Sequence, residues 1–310
     1  MLKNLNRSLH GAASEGLPFR RWVMAAMVGA TVGLTGCIKN PTVIDIQVDR
    51  LRYHQISQFK VTGTALDSTI TLTARNCSGL TAVEPDQGSA DARSNGLTWR
   101  CTPTATGSSA VELQVMGVAG VLLKSQRFDV PDPQVTMVTT LGPLVIELNP
   151  TVVPTTVDNF LRYASDGFYT NTLFHRVIGG FVAQGGWLVP ATGSGGELLG
   201  TAVANPKEKP GARPAIALES NKGLANLRGT IAMARTDEPD SATSQFYFNL
   251  VDNSALNFAS TSKPGYAVFG RVIQGLPVMD AIGSLSTATR FGKADFPLTD
   301  VLVQSVTQTK

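Results

Sequence analysis

Apolar and polar residues alternate along much of this chain with the two-residue period of half-buried strands. Val43-Ile44-Asp45-Ile46-Gln47-Val48, Ser68-Thr69-Ile70-Thr71-Leu72-Thr73 and Ala110-Val111-Glu112-Leu113-Gln114-Val115 follow it, and Ser57-Gln58-Phe59-Lys60-Val61-Thr62 does so less strictly. Clusters of Gly, Ser, Asn and Asp separate these runs, notably between Pro85 and Gly96. Residues 37–130 therefore read as a small β-rich, sandwich-like domain. Cys77 ends one predicted strand and Cys101 follows Trp99 on another, which suits an inter-strand bridge. An immunoglobulin-like form is expected, although the cysteines are too close in sequence for the usual inter-sheet pair. Pro131-Asp132-Pro133 then reads as a stiff linker over residues 131–134.

The pattern changes in residues 135–310. Val135 to Thr140 and Pro143 to Leu148 predict a strand pair turning at Leu141-Gly142. A helix follows Pro154, with Thr155 and Asp158 spaced as a capping box, and Gly167 stops it. Val157, Phe160, Leu161 and Ala164 share one of its faces. A second helix is expected from Pro277 through Val278, Met279, Ala281 and Ile282, and a closing strand from Leu298 to Thr307. Two helices among short strands and glycine-rich loops predict a mostly β fold, a closed barrel capped by two helices.

Charge changes the picture only at the start. The formal net charge is +3, but Lys3, Arg7, Arg20 and Arg21 precede residue 37 against one acid, Glu15. The remainder holds 22 basic and 22 acidic residues, so nucleic-acid binding has no electrostatic footprint. Arg20-Arg21 lead an apolar stretch, Trp22 to Leu34, that falls short of the ~20 residues of a transmembrane helix. Residues 1–36 therefore predict an export signal. Leu34-Thr35-Gly36-Cys37 resembles the bacterial lipobox, which would make Cys37 the lipidated first mature residue. An uncleaved anchor, an ordinary signal and a twin-arginine signal are the alternatives, and the long n-region leaves room for a start downstream of Met1. Ile38, rather than an acid, follows the cysteine; in lipoproteins this resembles, that favours the outer membrane facing the periplasm. Cys77 and Cys101 then form an even pair for an oxidising compartment, closing a loop of about 24 residues worth roughly 3 kcal/mol. The histidines are His10, His54 and His175, and no Cys/His spacing predicts a metal site.

Candidate chemistry concentrates in Phe174-His175-Arg176-Val177-Ile178-Gly179-Gly180-Phe181-Val182-Ala183-Gln184-Gly185-Gly186. A guanidinium on apolar ground costs desolvation that packing alone does not offset, which marks it as a candidate functional group. The run resembles the active-site strand of the cyclophilins, the peptidyl-prolyl cis–trans isomerases. Further motifs carry the likeness over residues 135 to 308: Gly167-Phe168-Tyr169, Arg228-Gly229-Thr230-Ile231-Ala232-Met233-Ala234-Arg235, Ser244-Gln245-Phe246-Tyr247-Phe248-Asn249 and Gly265-Tyr266-Ala267-Val268-Phe269-Gly270. Together they look like the bacterial branch.

The resemblance makes Arg176 the donor to the prolyl nitrogen or adjacent carbonyl, with Gln184 and Gln245 orienting it or binding substrate backbone. Phe181 and Tyr247 would form the proline pocket, lined or supported by Val182, Met233 and Leu256. Ala234 and Arg235 match the edge segment that pairs with bound peptide, and Tyr266 stands where eukaryotic members have histidine. Phe174 is expected on the same strand face as Arg176, and His175 on the opposite one as a buried structural histidine. Ala255 replaces a large aromatic wall, which implies weak cyclosporin binding, and the Tyr247 hydroxyl must find a partner. The expected function is isomerisation of X–Pro bonds in exported or unfolded polypeptides, without cofactor or metal, by a protein held to the membrane through its lipid. A non-catalytic proline-segment binder, acting as chaperone or assembly factor, is the rival; a third reading gives the β-domain the main role, recruiting an envelope partner.

Overall fold

The alternating runs of the first half fold into seven strands: β1 (Thr42–Val48), β2 (Ser57–Thr64), β3 (Thr71–Arg75), β4 (Cys77–Val83), β5 (Gly96–Pro103), β6 (Gly107–Met116) and β7 (Leu122–Val130). The computed structural model describes residues 40–83, 96–191 and 205–310; the predicted signal and Cys37 lie outside them. Four strands pair in the order β1-β2-β5-β4 and three as β3-β6-β7, all antiparallel. Strand β2 alternates more strictly than its sequence suggests, burying Phe59 and Val61 completely. The third run begins as a strand only at Thr71, because the Asp67 carboxylate accepts from the Thr69 amide (2.8 Å) and hydroxyl (2.6 Å), which holds the preceding residues in a turn. Cys77 opens β4 rather than ending a strand. Asn76, in the left-handed region at φ 57°, makes the turn before it. The Cys77–Cys101 disulfide forms between neighbouring strands of one sheet, with Cα atoms 5.6 Å apart.

The second half contains β8 (Gln134–Thr139), β9 (Gly142–Leu148), α1 (Pro154–Ser165), β10 (Thr172–Leu173), β11 (Arg176–Ile178), β12 (Val182–Gly185), β13 (Leu188–Val189), β14 (Lys207–Glu208), β15 (Thr230–Met233), β16 (Phe246–Asn249), β17 (Val268–Gln274), α2 (Leu276–Gly283), β18 (Thr287–Arg290), β19 (Lys293–Pro297) and β20 (Leu302–Gln308). Nine of these strands form one curled antiparallel sheet in the order β10-β20-β8-β9-β17-β15-β16-β12-β11. Its end strands, β10 and β11, are separated in the chain by Phe174 and His175 alone. Among the described residues those two strands do not pair with each other, so the ladder is open-ended where the pattern predicts a ring.

Aromatic packing fills the concave side. Phe160 of α1 lies 5.0 Å from Phe269, 5.1 Å from Tyr169 and 6.1 Å from Phe246, all fully or nearly fully buried. The helix buries Val157, Phe160, Leu161 and Ala164 as its period predicts. Its expected capping box does not form, because the N-cap is Val153, one residue before Pro154, and Val153 has no side chain able to cap. The Glu219 carboxylate does that work from 63 residues away, accepting from the Thr156 amide (2.8 Å) and hydroxyl (2.7 Å) and more distantly from the Thr155 amide (3.4 Å). Asp158 turns instead to the preceding β-rich segment, where the Tyr53 hydroxyl donates to it at 2.7 Å. Burial and then this carboxylate push the Tyr53 pKa up. Gln308 donates to the Tyr53 carbonyl (2.9 Å) and Thr106 to Asp132 (2.7 Å). Residues 40–310 are accordingly one compact unit with a continuous buried cluster.

Candidate active site

Strand register assembles the site. Arg176 on β11 stands opposite Gln184 on β12, Gln184 opposite Tyr247 on β16, Tyr247 opposite Ala232 on β15, and Ala232 opposite Val268 on β17. Directly opposed residues share a sheet face, so these five form a row across four ladders on the convex side. Their neighbours Val177, Ala183, Phe246, Phe248, Ile231 and Phe269 point the other way and are fully buried in the core.

Two expected pocket residues belong to that core. Met233 (1% exposed) is one residue out of phase with Ala232 and opposes Phe246, on the interior face. Phe174 is fully buried, its ring stacked with Phe248 at 6.2 Å and edge-on to Phe246 at 6.0 Å. The expectation that it shares a face with Arg176 fails because β10 ends before it and β11 begins after His175, which breaks the two-residue period. His175 is buried as expected, edge-on to Trp187 at 5.4 Å. Its Nδ1 has no hydrogen-bond partner among the described residues, and burial drives its pKa down to about 4.

Around the row lies an apolar seat. Val182, Ala232, Tyr247 and Val268 are buried together, with Phe181, Leu224, Ala234, Leu256 and Tyr266 packed against them and partly open. Tyr247 and Tyr266 meet edge to face at 5.8 Å. The Arg235 guanidinium lies 4.7 Å from the Tyr266 ring centroid, and its Nε donates to the Gly265 carbonyl at 3.0 Å. Arg235 therefore braces the Tyr266 loop. The Ala234 amide is bonded to the Gln245 carbonyl (2.9 Å), and Gln184 Nε2 donates to Gln245 Oε1 (2.9 Å), which joins the two glutamines. Ala255 is exposed beside an open hollow of about 560 Å³ bordered by Arg235, Ser254, Asn257, Lys263 and Tyr266.

Three further groups escaped sequence reasoning. Asp295, at φ 58° on β19, brings its carboxylate to 3.8 Å from Arg176 Nε. The β18–β19 hairpin that carries it was not predicted; its turn, Phe291-Gly292, with φ 54° and 71°, was the signal available. Asn226, fully buried, accepts from the Tyr247 hydroxyl at 2.7 Å, the partner that group required. Asn253 donates to the Phe181 carbonyl at 2.9 Å.

The arrangement offers an apolar seat with a guanidinium at its edge and paired amides beside it. It presents no activated nucleophile, and among the described residues no three His, Cys, Asp or Glu side chains converge to hold a metal.

Comparison with known proteins gives this geometry its context. A family model described as cyclophilin type peptidyl-prolyl cis-trans isomerase/CLD matches residues 134–308. Peptidyl-prolyl cis-trans isomerase B of Escherichia coli (strain K12) is 44% identical over 175 residues, 56% of this chain and 98% of that protein. A peptidyl-prolyl cis-trans isomerase of Acinetobacter baylyi is 43% identical over 189 residues, 61% of this chain and 91% of the relative. A solved cyclophilin type isomerase of Cryptosporidium parvum, crystallised in the presence of the dipeptide Ala-Pro, is 25% identical with a TM-score of 0.44, covering 57% of this chain and 99% of that one. The chain belongs to the cyclophilin-type peptidyl-prolyl cis–trans isomerases and catalyses rotation about X–Pro peptide bonds.

Proposed function

We propose that the row led by Arg176 is the catalytic face of this isomerase, and that the enzyme works on exported polypeptides while tethered to the cell envelope through lipid on Cys37. The observation that carries the catalytic part is the register: Arg176, Gln184 and Tyr247 stand side by side at the rim of the apolar seat. Rotating an amide costs ~18–20 kcal/mol because its resonance must be broken. The two X–Pro isomers differ by only about 0.5–1 kcal/mol, so a catalyst needs to stabilise the twisted state alone. The seat formed by Phe181, Val182, Tyr247 and Leu256 takes the pyrrolidine ring. Arg176 donates to the prolyl nitrogen as it becomes pyramidal, or to the adjacent carbonyl. Gln184 and Gln245, bonded to each other, bind the flanking substrate backbone, and the Ala234–Arg235 edge receives the peptide main chain.

Residues 37–130 form a sandwich domain in this reading, joined at 131–134 to a barrel-like isomerase domain and packed with it into one compact unit. The strand orders β1-β2-β5-β4 and β3-β6-β7 support it, being those of constant-type immunoglobulin sandwiches. Its contacts to α1 and β20, through Tyr53 and Gln308, hold the two together. The tether rests on sequence: the charged and apolar export signal, and the lipobox-like Leu34-Thr35-Gly36-Cys37. The natural substrates are then newly exported chains in which proline isomerisation limits folding. The test expresses the full chain with radiolabelled fatty acid. Label on the wild type, none on Cys37→Ser, and membrane-fraction isomerase activity that becomes soluble in the variant are expected. Equal labelling of both proteins overturns the tether.

A further inference from the structure

Beneath the apolar seat lies a polar cluster that the proposed chemistry does not use. Asn226 is fully exhausted as a hydrogen-bonding group: its Oδ1 accepts from the Tyr247 hydroxyl (2.7 Å) and Asn249 Nδ2 (3.1 Å), and its Nδ2 donates to the Leu256 carbonyl (3.1 Å) and Asn257 Oδ1 (3.1 Å). Its amide donates to Asn257 Oδ1 (2.7 Å), and its carbonyl accepts from the Asn253 amide (2.7 Å). Asn253 Nδ2 in turn donates to the Phe181 carbonyl (2.9 Å) and to Asn249 Oδ1 (2.8 Å). Asn226 and Asn249 are fully buried and Asn253 is 8% exposed.

The cluster thus touches three walls of the seat, and they arrive from three separate stretches of chain. Phe181 comes from the turn between β11 and β12, Tyr247 from β16, and Leu256 from a short 3-10 turn, Ser254–Leu256. Among the described residues no ladder joins the Phe181 turn to the Leu256 turn. A buried amide network with every member satisfied fixes relative positions more tightly than apolar contact, which tolerates sliding. Burial raises the Tyr247 pKa, so the hydroxyl stays protonated and donates to Asn226 throughout the working range.

We propose that Asn226, supported by Asn249 and Asn253, is a positioning residue that sets the spacing of Phe181, Tyr247 and Leu256, and so the fit of the seat to the proline ring. The inference rests on the seat being the proline site. Side chains of the cluster do not meet the substrate, and their effect passes through the three walls.

The experiment measures kcat and KM for a proline tetrapeptide with the full mature chain, well below its unfolding temperature. Asn226→Ala is expected to lower kcat/KM by about tenfold, mostly through KM, because ring and seat no longer match. The loss leaves the Tyr247 hydroxyl buried without an acceptor, so the Asn226→Ala/Tyr247→Phe double variant recovers part of it. Asn253→Ala, which cuts the Phe181 arm and the bond to Asn249 Oδ1 but leaves the Tyr247 and Leu256 arms, is expected to lose about threefold and keeps the proposal testable should Asn226→Ala not fold. A purely structural cluster predicts lower unfolding temperatures with unchanged kcat and KM in the folded protein. That result, or a double variant no better than Asn226→Ala, overturns the proposal. An inactive wild type would instead overturn the assignment of the seat, which separates the two failures.

Discussion

His175 gives the fold a defined sensitivity to acid. Its ring is 4% exposed, and the folded-state pKa falls from 6.5 to about 4. Burial is the main cause; the Lys293 and Arg176 charges act in the same direction, while Leu173 and Gln245 pull the other way more weakly in sum. The sign follows from which state binds the proton. Between pH 6.5 and 4 the unfolded chain protonates His175 and the folded chain does not, so the proton favours unfolding. The neutral ring's contribution is complete above pH 6.5 and is lost progressively as pH falls to about 4. At about 1.36 kcal/mol per pH unit, the fall from 6.5 to about 4 gives roughly 3 kcal/mol over that window. The measurement is urea unfolding at pH 7.5, 6, 5 and 4.5, comparing wild type with His175→Phe, which keeps a flat ring against Trp187 but cannot protonate. The wild type is expected to lose roughly 2–3 kcal/mol more than the variant across the series. Parallel pH profiles would refute the claim that a proton excluded from this ring is the cause. Carboxylate titration common to both proteins cancels in the difference.

Arg176→Ala is expected to reduce kcat/KM by roughly 10²–10³-fold, the loss typical of one transition-state donor, with unfolding free energy changed by less than about 1 kcal/mol. Its ion pair with Asp295 is 3.8 Å long and both side chains are about 40% exposed, so solvent screens it; activity within threefold of wild type would contradict the assignment. Glu219→Ala strips the start of α1 of its acceptor and is expected to cost about 1–3 kcal/mol in thermal or denaturant unfolding. A change below about 0.5 kcal/mol would show that water replaces it. Replacing Cys77 and Cys101 together by serine opens a 24-residue loop and is expected to lower stability by roughly 3 kcal/mol, read as a lower denaturant midpoint; a chain indifferent to reductant would refute it.

Where a segment's own pattern decides its structure, the sequence was enough to read it. The runs that became β1, β2, β6, β8 and β9 alternate because one side of each is buried, and that requirement is written locally. The buried stripe of α1 was equally plain. Its cap was not, because Thr155 and Asp158 have the spacing of a local motif while the actual acceptor, Glu219, is brought in by the tertiary fold. The β18–β19 hairpin stayed hidden for a different reason. Thr287–Arg290 has no fully buried position, so no alternation records its pairing. In the candidate site, Arg176, Gln184, Phe181 and Tyr247 sit in motifs, and the strand register and packing bring them together. Phe174 and Met233 were misplaced by a broken period in one case and a one-residue phase in the other. Asp295 and Asn226 could not be assigned from their neighbours, since each acts on a residue more than 20 positions away.

The order of strands has a bearing on when this protein can become itself. In the curled sheet, β20 lies between β10 and β8, two strands made more than a hundred residues earlier. A growing chain therefore carries β8 and β10 each with an unpaired edge until β20 has been made. During that interval α1 lacks one of the strands it packs on, although Phe160 can already meet Phe246 and Phe269. Such long-range pairing delays closure of the sheet until β20 has been made, rather than letting it proceed stepwise from the first strands.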